Sequence, residues 1–269
     1  MADVSSRRRA YLDAQRRRER AVSAVRLALV AGLFLLWEVA ARRGWIDPFV
    51  VSSPSRMAST LAQLCRSGDL WLHLGTSLWE TVAGFTLGTL CGALIAVLLW
   101  WSPFACRVLE PCLVVLNALP KTALGPVFIV WIGAGTESII AMTLSISLIV
   151  TILDVLNGFL STDAEKLLLL RAMGATRRQI LFKLVIPSNF TTVINALKVN
   201  VGLSWVGVIM GEFLVSKAGL GYLIVYGSQV FKMDLVMSTV LLLGTAAAGM
   251  YQGILWLERG LKKHFGVIV

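Results

Sequence analysis

The sequence predicts an all-α polytopic membrane protein with six transmembrane helices, and both its composition and its long apolar segments support this. Of its 269 residues, 57% are hydrophobic and 15% are charged, and the mean hydropathy is +0.77. A soluble globular protein of this size needs more polar surface than this composition provides. A helix of about 20 apolar residues crosses a hydrocarbon core about 30 Å thick. Six segments are long enough to do so: 22–41, 75–101, 108–132, 137–160, 191–213 and 235–257.

The distribution of basic residues predicts the orientation. Eight arginines lie within the first 26 residues, and basic loops tend to remain in the cytoplasm. With the N-terminus inside, six spans also place Arg107 and the connector at 161–190 inside. This sorting explains the net charge of +10, so nucleic acid is not an expected partner, whereas the lipid bilayer is. The predicted organisation is a basic cytoplasmic segment at 1–21, a transmembrane domain at 22–260 with an external segment at 42–74, and a cytoplasmic tail at 261–269.

The external segment and the second span carry packing signals. Apolar residues follow Pro54 at helical spacing, which predicts a short helix on the outer surface. In the second span, Gly84, Gly88 and Gly92 repeat every fourth residue. Such a ladder lets the backbone of another helix approach closely. We therefore expect these three glycines to pack against a neighbouring helix.

The third span is interrupted by prolines, and a lysine lies within it. A broken helix at membrane depth is tolerated where it lines protein or a watery cavity, because its free backbone groups find partners there. This predicts a translocation pathway near the break. The alternative is that the lysine lies at the membrane interface and extends its amine to water. The candidate residues are Asn117, Pro120, Lys121 and Thr122.

The fifth span carries a polar stripe on one helical face, with residues at steps of four, three, four and three from Thr191. A polar face does not contact lipid, so it lines a pathway or packs against another helix. The pathway is favoured because a buried lysine needs an anion or an acidic partner. The candidates here are Asn195, Lys198, Trp205 and, near the outer end, Glu212, which could also pair with a lysine, form a gate or cap a helix.

The connector contains Gly174 and, thirteen positions later, Pro187 after an apolar stretch. This pattern resembles the signature loop of ABC importer permeases, through which the membrane subunit rests on its ATPase. That loop normally opens with Glu-Ala-Ala, whereas leucines occupy 168–170 here. The grip on the ATPase is therefore expected to be more apolar, with arginines free to pair with acids. The expected coupling residues are Leu168, Leu169, Leu170, Arg171, Met173, Gly174, Ala175, Arg177, Arg178 and Pro187.

Further stretches at 70–78, 120–133 and 204–224 resemble, in the same order, the permeases that take up nitrate, taurine and alkanesulfonates. The resemblance covers roughly residues 50–260. It implies the type I ABC importer permease fold in a bacterial cytoplasmic membrane, with both termini in the cytoplasm. It also implies a second permease chain, most simply another copy of this one, a cytoplasmic ABC ATPase dimer and an external substrate-binding protein.

The chain contains no GxxxxGK[ST] phosphate loop, no HExxH or GxSxG motif and no plausible cluster of metal ligands. We therefore expect no catalytic residue and no metal in this chain, with ATP and Mg²⁺ bound by the partner ATPase. The lysines of the third and fifth spans favour a small anion such as nitrate, a sulfonate or taurine, or a carboxylate. Similar permeases serve thiamine-precursor or riboflavin uptake, so these substrates stay open.

A different class of protein also fits the composition. An ion-coupled secondary transporter works without an ATPase and uses carboxylates inside the membrane. No inverted repeat is visible in the hydropathy pattern, which disfavours this interpretation. The carboxylates that would serve are Glu38, Glu80, Glu110, Asp154 and Glu212.

Overall fold

The computed structural model describes residues 2–265, and every regular element in that range is helical. Short 3₁₀ and π segments at Lys121–Leu124 and Leu181–Val185 join some of the helices. The α-helices, in chain order, are α1 Ala2–Arg42, α2 Pro48–Val51, α3 Pro54–Ser67, α4 Asp69–Trp101, α5 Pro103–Ala118, α6 Gly125–Ile132, α7 Thr136–Leu160, α8 Ala164–Ala172, α9 Arg177–Ile180, α10 Ile186–Ser188, α11 Phe190–Val215, α12 Leu220–Gln229 and α13 Met233–Phe265.

Five of these helices are long and apolar enough to cross a membrane, namely α1, α4, α7, α11 and α13. The predicted third span corresponds to α5 and the helical segment Lys121–Ile132, which meet at an angle of 85°. The break falls at Leu119 and Pro120, where the chain is extended and the proline has no N–H to continue the helix. Pro111, by contrast, lies inside α5 without ending it. The interruption predicted from the prolines is therefore present.

Helix α7 forms the centre of the bundle, with α4 on one side and α11 on the other. On the α4 side, Gly84, Gly88 and Gly92 face hydroxyl-bearing residues of α7. A Cβ at Gly92 would lie 2.7 Å from the Cβ of Thr151 and 3.1 Å from a backbone oxygen. On the α11 side, a Cβ at Gly207 would lie 2.7 Å from the Cα of Thr143. The close approach expected from the glycine ladder is thus found between α4 and α7, and Gly207 gives α11 a similar approach to α7.

The order of these contacts shows that the bent pair crosses the bundle. Residues 84 and 92 of α4 face residues 143 and 151 of α7, so the two helices run in the same direction. The chain leaves α4 at one end of the bundle and must enter α7 at the other end. The bent α5–α6 pair makes that passage, so the bundle has six crossings, as the sequence predicts.

The two ends of the bundle carry different elements. At one end, which we call the connector end, Arg177 reaches the carbonyl of Trp101 at the end of α4. At the opposite end, which we call the distal end, the start of α4 contacts the loop between α11 and α12. The start of α13 also lies at the distal end, because Asp234 accepts hydrogen bonds from Ser52 and Arg56 beside α3.

The predicted short helix after Pro54 is α3. Ser53 precedes it in extended conformation, and its hydroxyl accepts a hydrogen bond from the backbone N–H of Arg56. This is the usual arrangement at a helix N-terminus. Helix α1 lies alongside, with the carboxylate of Glu38 accepting a hydrogen bond from the N–H of Ser55 at 3.0 Å. Helix α1 is continuous through residue 21, where the boundary of the basic segment was predicted.

We predict that Gly92→Leu destabilises the protein by about 1 to 3 kcal/mol, because a side chain there must displace Thr151 and the α7 backbone. The measurement is the thermal unfolding midpoint of the purified protein in detergent. Gly75→Leu in the same helix is the matched control, since nothing lies within 4 Å of a Cβ at that position. Equal melting temperatures for the two variants would contradict the packing described for α4 and α7.

Candidate functional site

The connector reverses direction at Gly174, which has a φ of +79°. The N–H of Gly174 donates to the carbonyl of Arg171, and the N–H of Ala175 donates to the carbonyl of Leu170. These two bonds form a Schellman motif, in which the left-handed position strongly favours glycine. Helix α9 starts directly afterwards with a capping box between Thr176 and Gln179. Gly174 is therefore required by the backbone of the turn, and no side chain crowds it.

The predicted apolar residues of the connector divide into two groups. Leu168, Leu169 and Met173 are 68%, 61% and 74% exposed, and we call these three residues the apolar knob. Leu170 and Ala175 turn inward and pack on the core cluster around Phe159 and Val185. Exposed apolar side chains on one helix are typical of a surface that binds a partner. The knob is the part of the predicted coupling set that is free to do so.

The arginines of the connector also differ in their environments. The guanidinium of Arg177 donates to the carbonyl of Trp101 at 2.9 Å, which ties the connector to the end of α4. All three arginines are exposed; Arg171 and Arg177 line a cavity behind the connector, whereas Arg178 does not. One N–H of Arg177 is therefore used at the C-terminus of α4, and the expectation that the three arginines pair with acids of a partner stays a prediction. Pro187 lies in the short α10, just after the π segment.

A polar groove runs between α7 and α11 near the connector end, with a volume of about 390 Å³. Asp154 is half-buried there, and its carboxylate makes no ion pair or hydrogen bond within residues 2–265. It lies six residues, or about 9 Å, from the end of α7. Groups of this kind inside a membrane face protein or water, since contact with lipid is costly. The polar members of the groove are Asp154, Asn157, Ser161, Thr192 and Asn195.

The structure brings only one residue of the predicted pathway, Asn195, into this groove. Asp154, Asn157 and Thr192 also line the groove and are not among the predicted pathway residues, although Asp154 is one of the membrane carboxylates considered above. The signal that could have found them is the spacing of Asp154, Asn157 and Ser161, which places three polar residues on one face of α7.

The residues predicted around the broken span lie at the break itself. The amine of Lys121 donates to the backbone and side-chain oxygens of Asn117, both at 2.9 Å. The lysine thereby satisfies a carbonyl at the end of α5 and supports the bend. Pro120 and Thr122 are exposed beside it. Lys121 therefore already has partners within its own segment.

The polar stripe of the fifth span is divided between two surroundings. Lys198 forms an ion pair with Glu258 of α13 at 2.8 Å, and Lys262 binds the other oxygen of the same carboxylate at 3.0 Å. Trp205 is only 4% exposed and packs with Leu220 against α13. The expectation that Trp205 lines an open path is wrong for this structure. The acidic partner that Lys198 needs is a residue of α13, which the sequence did not reveal.

Glu212 is also buried, at 2% exposure, and it belongs to a cluster at the distal end. Its carboxylate accepts hydrogen bonds from the hydroxyl of Ser77 and from the N–H of Gly221. The N–H of Leu220 donates to Ser77, and the N–H of Gly219 donates to His73. Three side chains thus satisfy the free N–H groups at the start of α12, where negative charge is favourable. Glu212 caps a helix and does not line an open path.

Residues 84–262 match the family described as binding-protein-dependent transport system inner membrane component. The chain is 29% identical to the formylaminopyrimidine transport permease ThiX of Halalkalibacterium halodurans, over 83% of this chain and 91% of that protein. It is 26% identical to the putative aliphatic sulfonates permease SsuC of Bacillus subtilis, over 88% of this chain and 86% of the relative. With the taurine permease TauC of Escherichia coli it shares 22% identity, over 90% of each chain.

A solved structure is similar in fold. A chain of the MetNI methionine ABC transporter in an inward-facing conformation superposes with a TM-score of 0.54 at 20% identity. The match covers 69% of this chain and 97% of the MetNI chain. At this identity the similarity concerns the fold.

We predict that Lys198→Met and Glu258→Gln are non-additive, with an interaction energy of about 0.5 to 3 kcal/mol, because each residue is the other's partner. Stability of the single and double variants in detergent is the measurement. The exposed pair Lys166 and Asp163 is the control, and it should couple by less than about 1 kcal/mol. Additive effects at Lys198 and Glu258 would contradict the pairing.

Proposed function

The chain belongs to the family of binding-protein-dependent transport system inner membrane components and is the permease subunit of an ABC importer; from this premise we propose that two copies of it enclose the path of a small solute. An external binding protein delivers the solute, and a separate dimer of ABC ATPases drives the change between outward and inward access. The connector end faces the cytoplasm, because the basic N-terminal segment and the basic connector both belong there.

The observation that carries this proposal is the polar groove between α7 and α11. Asp154, Asn157 and Asn195 lie within long apolar helices, where lipid is an unfavourable neighbour. A second copy facing this groove would enclose the polar side chains in a watery path. We propose a homodimer because one chain presents one such wall, and a second identical wall completes the path by symmetry.

The apolar knob and the turn at Gly174 support a coupling role for the connector. Leu168, Leu169 and Met173 would fill an apolar recess on the ATPase. Movement of α8 would pass through the core contacts of Leu170 and the bond from Arg177 to the end of α4. In this arrangement ATP and Mg²⁺ are bound by the partner ATPase, and this chain performs no catalysis.

The proposed substrate is a small organic solute with an acidic group, such as a sulfonate or taurine. Support comes from the names of the relatives. The two lysines do not add to it, because Lys121 and Lys198 have partners within the chain. A second candidate is a nitrogen-containing solute of the formylaminopyrimidine kind. This candidate is favoured because the charged residue that lines the polar groove is Asp154, and a carboxylate repels an acidic solute. Competition between these two classes for uptake by the reconstituted importer distinguishes them.

We predict that Asn157→Cys, in a chain whose four native cysteines are replaced, reacts with a charged thiol reagent that does not cross membranes. A thiol reacts as the thiolate, which requires water, and the groove is proposed to be wet. The measurement is labelling of inside-out vesicles that contain the complete importer. Leu94→Cys is the control, because Leu94 is 60% exposed on an apolar face of α4. If Asn157→Cys reacts no more than Leu94→Cys, the groove does not form part of a watery path.

We predict that Gly174→Val uncouples ATP hydrolysis from uptake while the importer still assembles. A β-branched residue at a φ of +79° costs about 1 to 3 kcal/mol and distorts the turn that presents the apolar knob. Hydrolysis and uptake are measured in parallel with the reconstituted importer. Gly68→Val is the matched control, with a φ of +84° in the external segment and the same strain far from the knob. If Gly174→Val hydrolyses ATP and takes up solute in the wild-type ratio, the turn at Gly174 has no coupling role. The same conclusion follows if Gly174→Val and Gly68→Val are uncoupled to the same extent.

A further inference from the structure

We propose that a cavity behind the connector binds the headgroup of an anionic phospholipid, with an acyl chain along its apolar wall. The cavity has a volume of about 380 Å³ and lies between the connector, the end of α4 and the start of α5. Arg107, Arg171 and Arg177 line it together with Glu110, and Trp100 and Phe159 contribute to its apolar wall. Neither the coupling role nor the groove accounts for this cavity.

The charges of the cavity require an anion. Three guanidinium groups face one carboxylate, so the lining carries a net charge of about +2. Within residues 2–265, no ion pair joins Glu110 to these arginines. Arg177 uses one N–H on the carbonyl of Trp101, which orients its guanidinium and leaves further donors. Planar guanidinium groups suit the paired oxygens of a phosphate.

The apolar part of the cavity favours a lipid over a free anion. The apolar wall of the cavity includes Leu99, Trp100 and Phe159. Outside the cavity, Phe104 and Val108 in the first turns of α5 are 80% and 52% exposed. Together with Trp100 and Trp101 they mark a surface at the membrane interface, where tryptophan is enriched. Basic pockets between transmembrane helices at this level bind anionic headgroups. A free phosphate would gain nothing from the apolar wall.

A lipid bound here would join α5 to the connector. Arg107 belongs to α5, whereas Arg171 and Arg177 belong to the segment that carries the apolar knob. The phosphate would bridge these elements and hold the connector against the bundle. Anionic lipid would then strengthen the coupling described under the proposed function. This consequence rests on that function, whereas the binding itself does not.

The test measures lipid binding to the complete importer by native mass spectrometry after delipidation, with phosphatidylglycerol and phosphatidylcholine compared. We expect phosphatidylglycerol to be preferred. Arg107→Ala should weaken its binding roughly tenfold, as expected for loss of a charged hydrogen bond, and Arg107→Lys should retain part of it. Arg178→Ala is the matched control, because Arg178 is an exposed connector arginine that does not line the cavity. Unchanged melting temperatures show that the variants are folded.

Four results would overturn the proposal. Equal binding of the two lipids, or equal loss in Arg107→Ala and Arg178→Ala, would remove the site. Displacement of the lipid by excess inorganic phosphate would assign the cavity to a free anion. Binding to the permease alone that disappears in the complete importer would assign it to an acidic segment of the ATPase. Because the readout is binding, a failure here leaves the transport and coupling experiments unaffected.

Discussion

The structure depends on how closely α4 and α11 approach α7. In lipid, apolar burial provides little force between helices, so they associate through close packing and hydrogen bonds between them. Glycines on α4 and α11 place the helix backbones against Thr143 and Thr151 of α7. The side chain of Asn200 on α11 then reaches the hydroxyl of Thr151. Groups of this size and polarity let the three helices approach closely, and the remaining elements are arranged around them.

Several polar side chains of this bundle already have partners within the chain, and this limits which of them are available for function. Lys198 pairs with Glu258, Lys121 donates to Asn117 near the end of α5, and Glu212 accepts hydrogen bonds at the start of α12. A group that already has partners is costly to release and makes a poor binding site for a passing solute. The carboxylate of Asp154 lacks such a partner within residues 2–265, so it is more available to contact a solute than these three side chains.

The connector shows a comparable division between structural and exposed residues. Gly174 and Thr176 determine the turn, Leu170 and Arg177 attach it to the bundle, and Met173 is among the side chains left for a partner. The leucines at 168–170 replace the usual Glu-Ala-Ala opening, and two of the three are exposed. The apolar character expected of this surface from the sequence is thus present, but it belongs to fewer residues than the pattern suggested.

The sequence by itself determined the number of crossings, the break in the third span, the glycine ladder and the turn of the connector. These features follow from local properties: the length of apolar segments, the missing N–H of proline and the freedom of Gly174 at positive φ. Only the tertiary structure decided which partners Lys198, Glu212 and Arg177 have. Those partners come from helices distant in sequence, and helical periodicity identifies the face of a residue without identifying the neighbour that covers it.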